Sequence, residues 1–325
     1  MHGTSRRQHQ HSFASKAWYN KSSAPTLIRK FVGSDVNAPL LPASKRSIEV
    51  WTTTCVVTNF GMKRGRQPGG RSTCADDVTG AASSSSCSVL INPANPSLSG
   101  VSDFPYFPRG GPQPKKQPSK DAHHIMGHVT QWGGMDVGEG MMFSAAVVDG
   151  LVHQLGGLRL AAECKLKGLL RGGGTAACPE GTSVVTSSGG PKLRAEYDYI
   201  VHTVPPFFKH PPREDCDVVE MLRNCYRFSF DLAFGTFGGI AGDQRVAVPL
   251  LGAGCRGFPT DVAIKVAAEE SAKWMDMSLD NGSEETSSNA STGSGQQVIA
   301  FGLLEEDIAL KLIGVIEESS CALKQ

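Results

Sequence analysis

A chain of 325 residues with 40% hydrophobic side chains can bury one large core or two small ones. Lys and Arg number 32 against 31 Asp and Glu, so no net field favours nucleic acid or an anionic membrane, and any anion must be recognised locally. No apolar run reaches the roughly 18 residues of a spanning helix, and 9 cysteines without a Cys-x-x-Cys pair suit a reducing compartment better than a disulfide scaffold or zinc ribbon.

The first 45 residues read as a basic segment outside the packed fold. Residues 1–34 contain Arg6, Arg7, Lys16, Lys21, Arg29 and Lys30 among serines and no acidic residue. That is the chemistry of a transit peptide and equally of a plain basic tail, so the compartment stays open. β-Branched and apolar runs predict strands at 48–57, 88–92, 182–186, 199–204, 245–251 and 297–303. Helical spacing is clearest over 214–234, where Val218, Met221, Leu222, Cys225 and Leu232 recur at three- and four-residue steps. Further helices are expected at 259–275, with a Pro in the first turn, and at 305–317. Strands alternating with helices predict a three-layer α/β domain whose sheet is buried on both faces. Residues 61–86, 104–120 and 277–297 are rich in Gly, Ser, Pro or Lys and read as loops or insertions.

Two stretches carry candidate chemistry. The run "LINPANPSLSG" at 90–100 empties an apolar strand into amides, prolines and a glycine, presenting polar groups at a strand end. The run "GAGCRGFP" at 252–259 links a strand to a helix. Its glycines let backbone N–H groups approach a ligand while the helix N-terminus adds partial positive charge, a natural diphosphate cradle. It also matches Gly-x-Gly-x-x-Gly, but that fingerprint should open the first βαβ unit and be followed by an acidic residue about 20 positions on. A lone glycine turn is the structural alternative.

With "VVDGLVHQLGG" at 147–157, "CPEGTSVVTSSG" at 178–189 and "YDYIVHTVPP" at 197–206, these blocks come in an order that resembles the macrodomain family over residues 88–320. The resemblance implies a three-layer α/β/α fold with a mixed central sheet, one domain over 46–325, and insertions near 61–86, 101–145 and 277–297. It implies binding of ADP-ribose and hydrolysis of ADP-ribosyl esters, on protein carboxylates or as O-acetyl-ADP-ribose. A non-catalytic ADP-ribose reader is the alternative, and an NAD-dependent Rossmann oxidoreductase a more distant one. The implied partner is ADP-ribose or an ADP-ribosylated protein, with no cofactor, metal, membrane or nucleic acid.

By the same resemblance, Asn92 and Asn95 rim the distal ribose, and Asn95 and Asp149 are the catalytic pair, with Gly150 beside them. A neutral amide can hold ribose hydroxyls while a carboxylate positions water. Taken alone, Asn95 could as well cap a turn and Asp149 a helix. Gly252, Ala253, Gly254, Cys255, Arg256, Gly257 and Phe258 form the expected phosphate loop, with Arg256 where many relatives carry an aromatic residue. Asp77 is the candidate for adenine recognition. His123, His124 and His128 have a spacing that invites a metal, but their Gly-rich setting favours a solvated loop. His153 and His202, in apolar surroundings, are expected to be core residues.

Overall fold

The structure, a computed structural model, describes residues 24–32, 46–58, 60, 86–100, 148–170, 176–208, 214–236, 243–254, 256–276 and 295–322. Seven strands, β1 (Thr26–Val32), β2 (Arg46–Thr52), β3 (Cys87–Pro93), β4 (Ser183–Ser187), β5 (Tyr199–Thr203), β6 (Gln244–Val248) and β7 (Gln297–Leu303), form one sheet. Its order is β1-β2-β7-β6-β3-β5-β4. The five central strands are parallel, and β1 and β4 close the edges antiparallel. The helices are α1 (Val148–Leu170), α2 (Pro191–Arg194), α3 (Val218–Phe230), α4 (Thr260–Asp276) and α5 (Glu306–Ala322).

The period-2 alternation of the central strands divides the core in two. Val89 and Ile91 of β3, Val201 of β5, Val246 and Val248 of β6, and Ile299 and Phe301 of β7 lie in one apolar cluster with α3, α4 and α5. Leu90, Ile200, Ala247, Val298 and Ala300 lie in the other, with Leu151, Val152, Leu160 and Cys164 of α1. Because both faces are covered, these strands read as continuous apolar runs, which is why they were legible.

α3 begins where Asp217 accepts hydrogen bonds from the N–H groups of Val219 (2.9 Å) and Glu220 (3.1 Å). Its Tyr226 hydroxyl accepts from Leu251 N at 2.9 Å, fixing the start of the loop after β6. α1 bends at Gly157, whose φ of 59° and ψ of −154° no helix accommodates.

Three readings change. Thr26–Val32, assigned from its basic sequence to a tail outside the fold, is an edge strand registered against β2 from Thr26↔Thr52 to Val32↔Ser47. Its charge signals exposure: Lys30 pairs at 3.1 Å with buried Glu49 while its strand remains largely solvent-facing, as an edge tolerates. The run at 48–57 is a strand only to Thr52, because Thr53 and Cys55 turn the chain through a side-chain hydrogen bond. The short α2 was hidden in "GGPKLR", where Pro191 opens a single turn. The insertions near 61–86, 101–145 and 277–297, and His123, His124 and His128, lie outside the described residues.

Candidate functional site

Parallel strands align their C-terminal ends, and ligand crevices form there because successive connections diverge. Here the loops after β3, β5 and β6 and the N-terminus of α1 meet at that edge. Asn92 is the penultimate residue of β3 and pairs in register with His202 of β5. By the parity of their strands both lie on the α1 face, beneath the first turn of that helix, which carries Asp149.

The resulting contacts are short. Asn92 Nδ2 donates to Asp149 Oδ1 at 2.8 Å and lies 3.1 Å from His202 Nδ1. His202 Nε2 is 2.9 Å from Thr186 Oγ1 and 3.9 Å from Cys164 Sγ. His153, one turn along α1, places Nε2 3.6 Å from Asp149 Oδ1. Asn92, Asp149 and His202 are all buried, and among the described residues Asn92 Oδ1 and His153 Nε2 are buried with no hydrogen-bond partner. Burial lifts the Asp149 carboxyl above the ordinary carboxylate range, against the opposing pull of His153, the Asn92 amide and Arg256. Burial also drives His202 down to about 3, so its ring is neutral, and the Cys164 thiol up to about 12. His153, Cys164 and His202 hold their donor atoms within 4.8 Å of one another, a cluster of metal-ligating types, although Thr186 already engages His202 Nε2.

The raised Asp149 pKa has a thermodynamic consequence. Between the unfolded and folded values the folded state binds more protons, so stability falls as pH rises through that window. Asp149→Asn keeps the acceptor for Asn92 and removes the buried charge. It should therefore raise the melting temperature at pH 7, and the gain should vanish below the ordinary carboxylate pKa. Melting at both pH values checks the sign.

Asn95, expected at the ribose rim, makes its described contacts within its own turn. Its Oδ1 accepts from Ser99 N (3.2 Å) and Ser97 Oγ (3.0 Å), and its Nδ2 donates to the Gly100 carbonyl. The amide is consumed in capping its own turn, while Asn92 is the asparagine that touches Asp149. The turn is tight: Leu98 N bonds Asn95 O at 3.0 Å, and Leu98 holds a left-handed φ of 54° that costs about 1–2 kcal/mol, offset by burial of its side chain. Gly100, at φ 77°, packs so closely that a Cβ would stand 2.9 Å from His153 Cγ, so this loop roofs the Asp149 neighbourhood.

The 252–258 loop follows β6 and leads through Pro259 into α4. Gly252 holds φ 81° with Phe258 directly beneath the position of a Cβ. Gly257 N bonds Gly254 O (3.0 Å) and Phe258 N bonds Gly252 O (3.1 Å), so these two N–H groups serve the loop itself. The Phe258 ring is buried against Phe208, 5.1 Å between centroids, and belongs to the core rather than to a ligand surface. Ala253 is half-buried, and a Cβ on Gly254 would meet nothing within 4 Å. Gly150 is buried in the first turn of α1.

Arg256 turns inward: Nη2 donates to the Ala94 carbonyl at 3.0 Å, Nη1 lies 3.4 Å from Glu180, and the guanidinium covers Phe207 at 4.5 Å. It thereby ties the β6 loop to the β3 loop, and Phe208 N bonds its carbonyl from the β5 side. Cys255 and Asp77 lie outside the described residues. Sequence reasoning missed the pairing of Asn92 with Asp149 and treated His153 and His202 as core. The available signal was that Asn92 and His202 each end a buried strand.

A family model described as Macro domain matches residues 139–267. A macro domain-containing protein of Listeria monocytogenes is 34% identical over 140 residues, spanning 42% of this chain and 69% of that protein. The chain belongs to the macro domain family. The macro domain match takes in Asp149 and the 252–258 loop, whereas Asn92 and Asn95 precede it. O-acetyl-ADP-ribose deacetylase 1 of Pantoea vagans is 34% identical over 122 residues, 38% of this chain and 62% of that protein. Among solved structures, a mutant macrodomain of Oceanobacillus iheyensis with ADPR has 16% identity and a TM-score of 0.47, over 91% of this chain and 98% of that one. Among the described residues, no helix is long and apolar enough to cross a membrane.

Proposed function

We propose that this macro domain binds ADP-ribose across the C-terminal strand edge and hydrolyses ADP-ribosyl esters, with Asp149 positioning the water. The observation that carries this reading is the Asn92–Asp149 hydrogen bond at the helix N-terminus, facing the same edge as the glycine loop after β6. Likeness to a protein named O-acetyl-ADP-ribose deacetylase supports the substrate class. Donors to the diphosphate would include Gly254 N–H, since Gly257 and Phe258 spend theirs internally. Asp149 takes a proton from the water as its oxygen bonds to the acyl carbon; the ester C–O bond then breaks, the carboxylic acid departs, and the ribose oxygen recovers that proton.

A second reading, a reader that binds without turnover, is favoured by the engagement of Asn95 in its own turn, which withdraws one of the two amides assigned to the site. One sample separates them. Calorimetry with ADP-ribose should give a dissociation constant on the order of micromolar, and single-turnover incubation with O-acetyl-ADP-ribose should release ADP-ribose. Tight binding with no release would make the protein a reader. No binding would remove both readings.

A further inference from the structure

We propose that His202 is a positioning residue that locks the Asn92 amide, fixing Nδ2 toward Asp149 and leaving Oδ1 as the acceptor for a substrate hydroxyl or the attacking water. The inference rests on the ADP-ribosyl reading of this site and adds to it the residue that orients the site.

The argument is one of donors and acceptors. Amide orientation is not intrinsically fixed, since the two ends of an Asn are nearly the same size. Asn92 Nδ2 offers two hydrogens and no lone pair, and its two neighbours are Asp149 Oδ1 at 2.8 Å and His202 Nδ1 at 3.1 Å. Both must accept. His202 Nδ1 therefore carries a lone pair, and the ring proton sits on Nε2, where it donates to Thr186 Oγ1 at 2.9 Å. The complete burial that holds the ring neutral is consistent with this tautomer. The opposite amide orientation would set Oδ1 against the Asp149 carboxylate oxygen, acceptor against acceptor, so Asp149 selects the orientation and His202 holds it as the Nε2–H tautomer.

Thr186, His202 and Asn92 occupy three adjacent strands, β4, β5 and β3, on one face of the sheet. Together they form a chain of bonds from the sheet edge to the helix N-terminus. What it leaves is Asn92 Oδ1, buried and without a partner among the described residues, beside the Asp149 carboxylate. A buried carbonyl oxygen in that state calls for an O–H partner, from a substrate hydroxyl or a bound water. Asn92 thus acts as an acceptor toward substrate only because His202 has taken its donor end.

Two substitutions separate positioning from packing. Asparagine can place its Oδ1 near the position of imidazole Nδ1, whereas glutamine can place its amide N–H near Nε2 and has nothing at Nδ1. His202→Asn should keep ADP-ribose affinity and ester kcat within about threefold of wild type, while His202→Gln should lose about tenfold in affinity and more in kcat. A packing role predicts the reverse order, because glutamine fills the space better. Equal losses, or His202→Gln outperforming His202→Asn, would overturn the proposal. Should either variant fail to fold, imidazole 15N shifts of the wild-type protein at neutral pH decide: the Nε2–H tautomer upholds the lock, and the Nδ1–H tautomer or an imidazolium overturns it. A wild type that neither binds ADP-ribose nor releases it refutes the underlying reading, while the tautomer still decides the lock.

Discussion

Asp149→Ala should lower kcat for ADP-ribose release from O-acetyl-ADP-ribose by about 10²-fold or more while moving ADP-ribose affinity far less. Asp149 sits in the first turn of α1, and its Oδ1 bridges Asn92 and approaches His153. As a helix-end carboxylate alone it would contribute about 0.5–2 kcal/mol to stability and nothing particular to rate. Burial opposes even that contribution at neutral pH, since the carboxyl is held above its ordinary pKa by desolvation. On the proposed reading, a buried carboxylate that costs stability at neutral pH is expected to have its use in the transition state. The measurement is single-turnover release by wild type and variant at matched folded fraction. Equal rates would remove Asp149 from the chemistry. A fall in affinity that matches the fall in rate would make it a ribose-binding group instead.

Gly254→Glu should weaken ADP-ribose binding by at least about 10²-fold, since an added carboxylate about 4 Å from a phosphate charge opposes it by roughly 4 kcal/mol at a near-surface dielectric. The substitution is clean with respect to folding. A Cβ at Gly254 meets no atom within 4 Å, whereas one at Gly252 would stand 2.9 Å from the Phe258 ring. The melting temperature without ligand should therefore stay near that of wild type, and protection by ADP-ribose should disappear. Unchanged affinity would place the diphosphate elsewhere. Loss of ligand-free stability would show that the loop does not tolerate a side chain as large as glutamate and would leave calorimetry on Gly254→Ala as the deciding comparison.

The sequence was most informative where structure is local. Strands β3, β5, β6 and β7 showed as short β-branched runs because a parallel sheet buried on both faces leaves no polar alternation to confuse them. α3 showed because one stripe of Leu222, Cys225, Tyr226, Ser229 and Phe230 is buried at helical spacing. β1 did not show. An edge strand with one exposed face and basic side chains has the composition of a solvated tail, and only pairing with β2 gives it a place.

The site divides along the same line. That a strand ending in Asn, a helix opening with Asp and a glycine loop before a helix could share a ligand was readable from chemistry and order. Which asparagine would reach Asp149 was not. Asn92 and Asn95 are three residues apart and chemically identical, yet one lies inside a strand on the α1 face and the other beyond its end, where its own turn captures the amide. His202 offered even less signal, because an apolar neighbourhood describes both a filler residue and an orienting one. Arg256 was expected in the phosphate loop, and its contacts with the Ala94 carbonyl, Glu180 and the face of Phe207 appear only in the fold. By itself, then, the sequence determined the alternation of elements and the classes of chemical group, since both follow from side-chain periodicity and type. The tertiary structure alone decided which groups meet, because hydrogen-bond partners are set by strand register and helix placement between residues such as Asn92, Asp149 and His202, far apart along the chain.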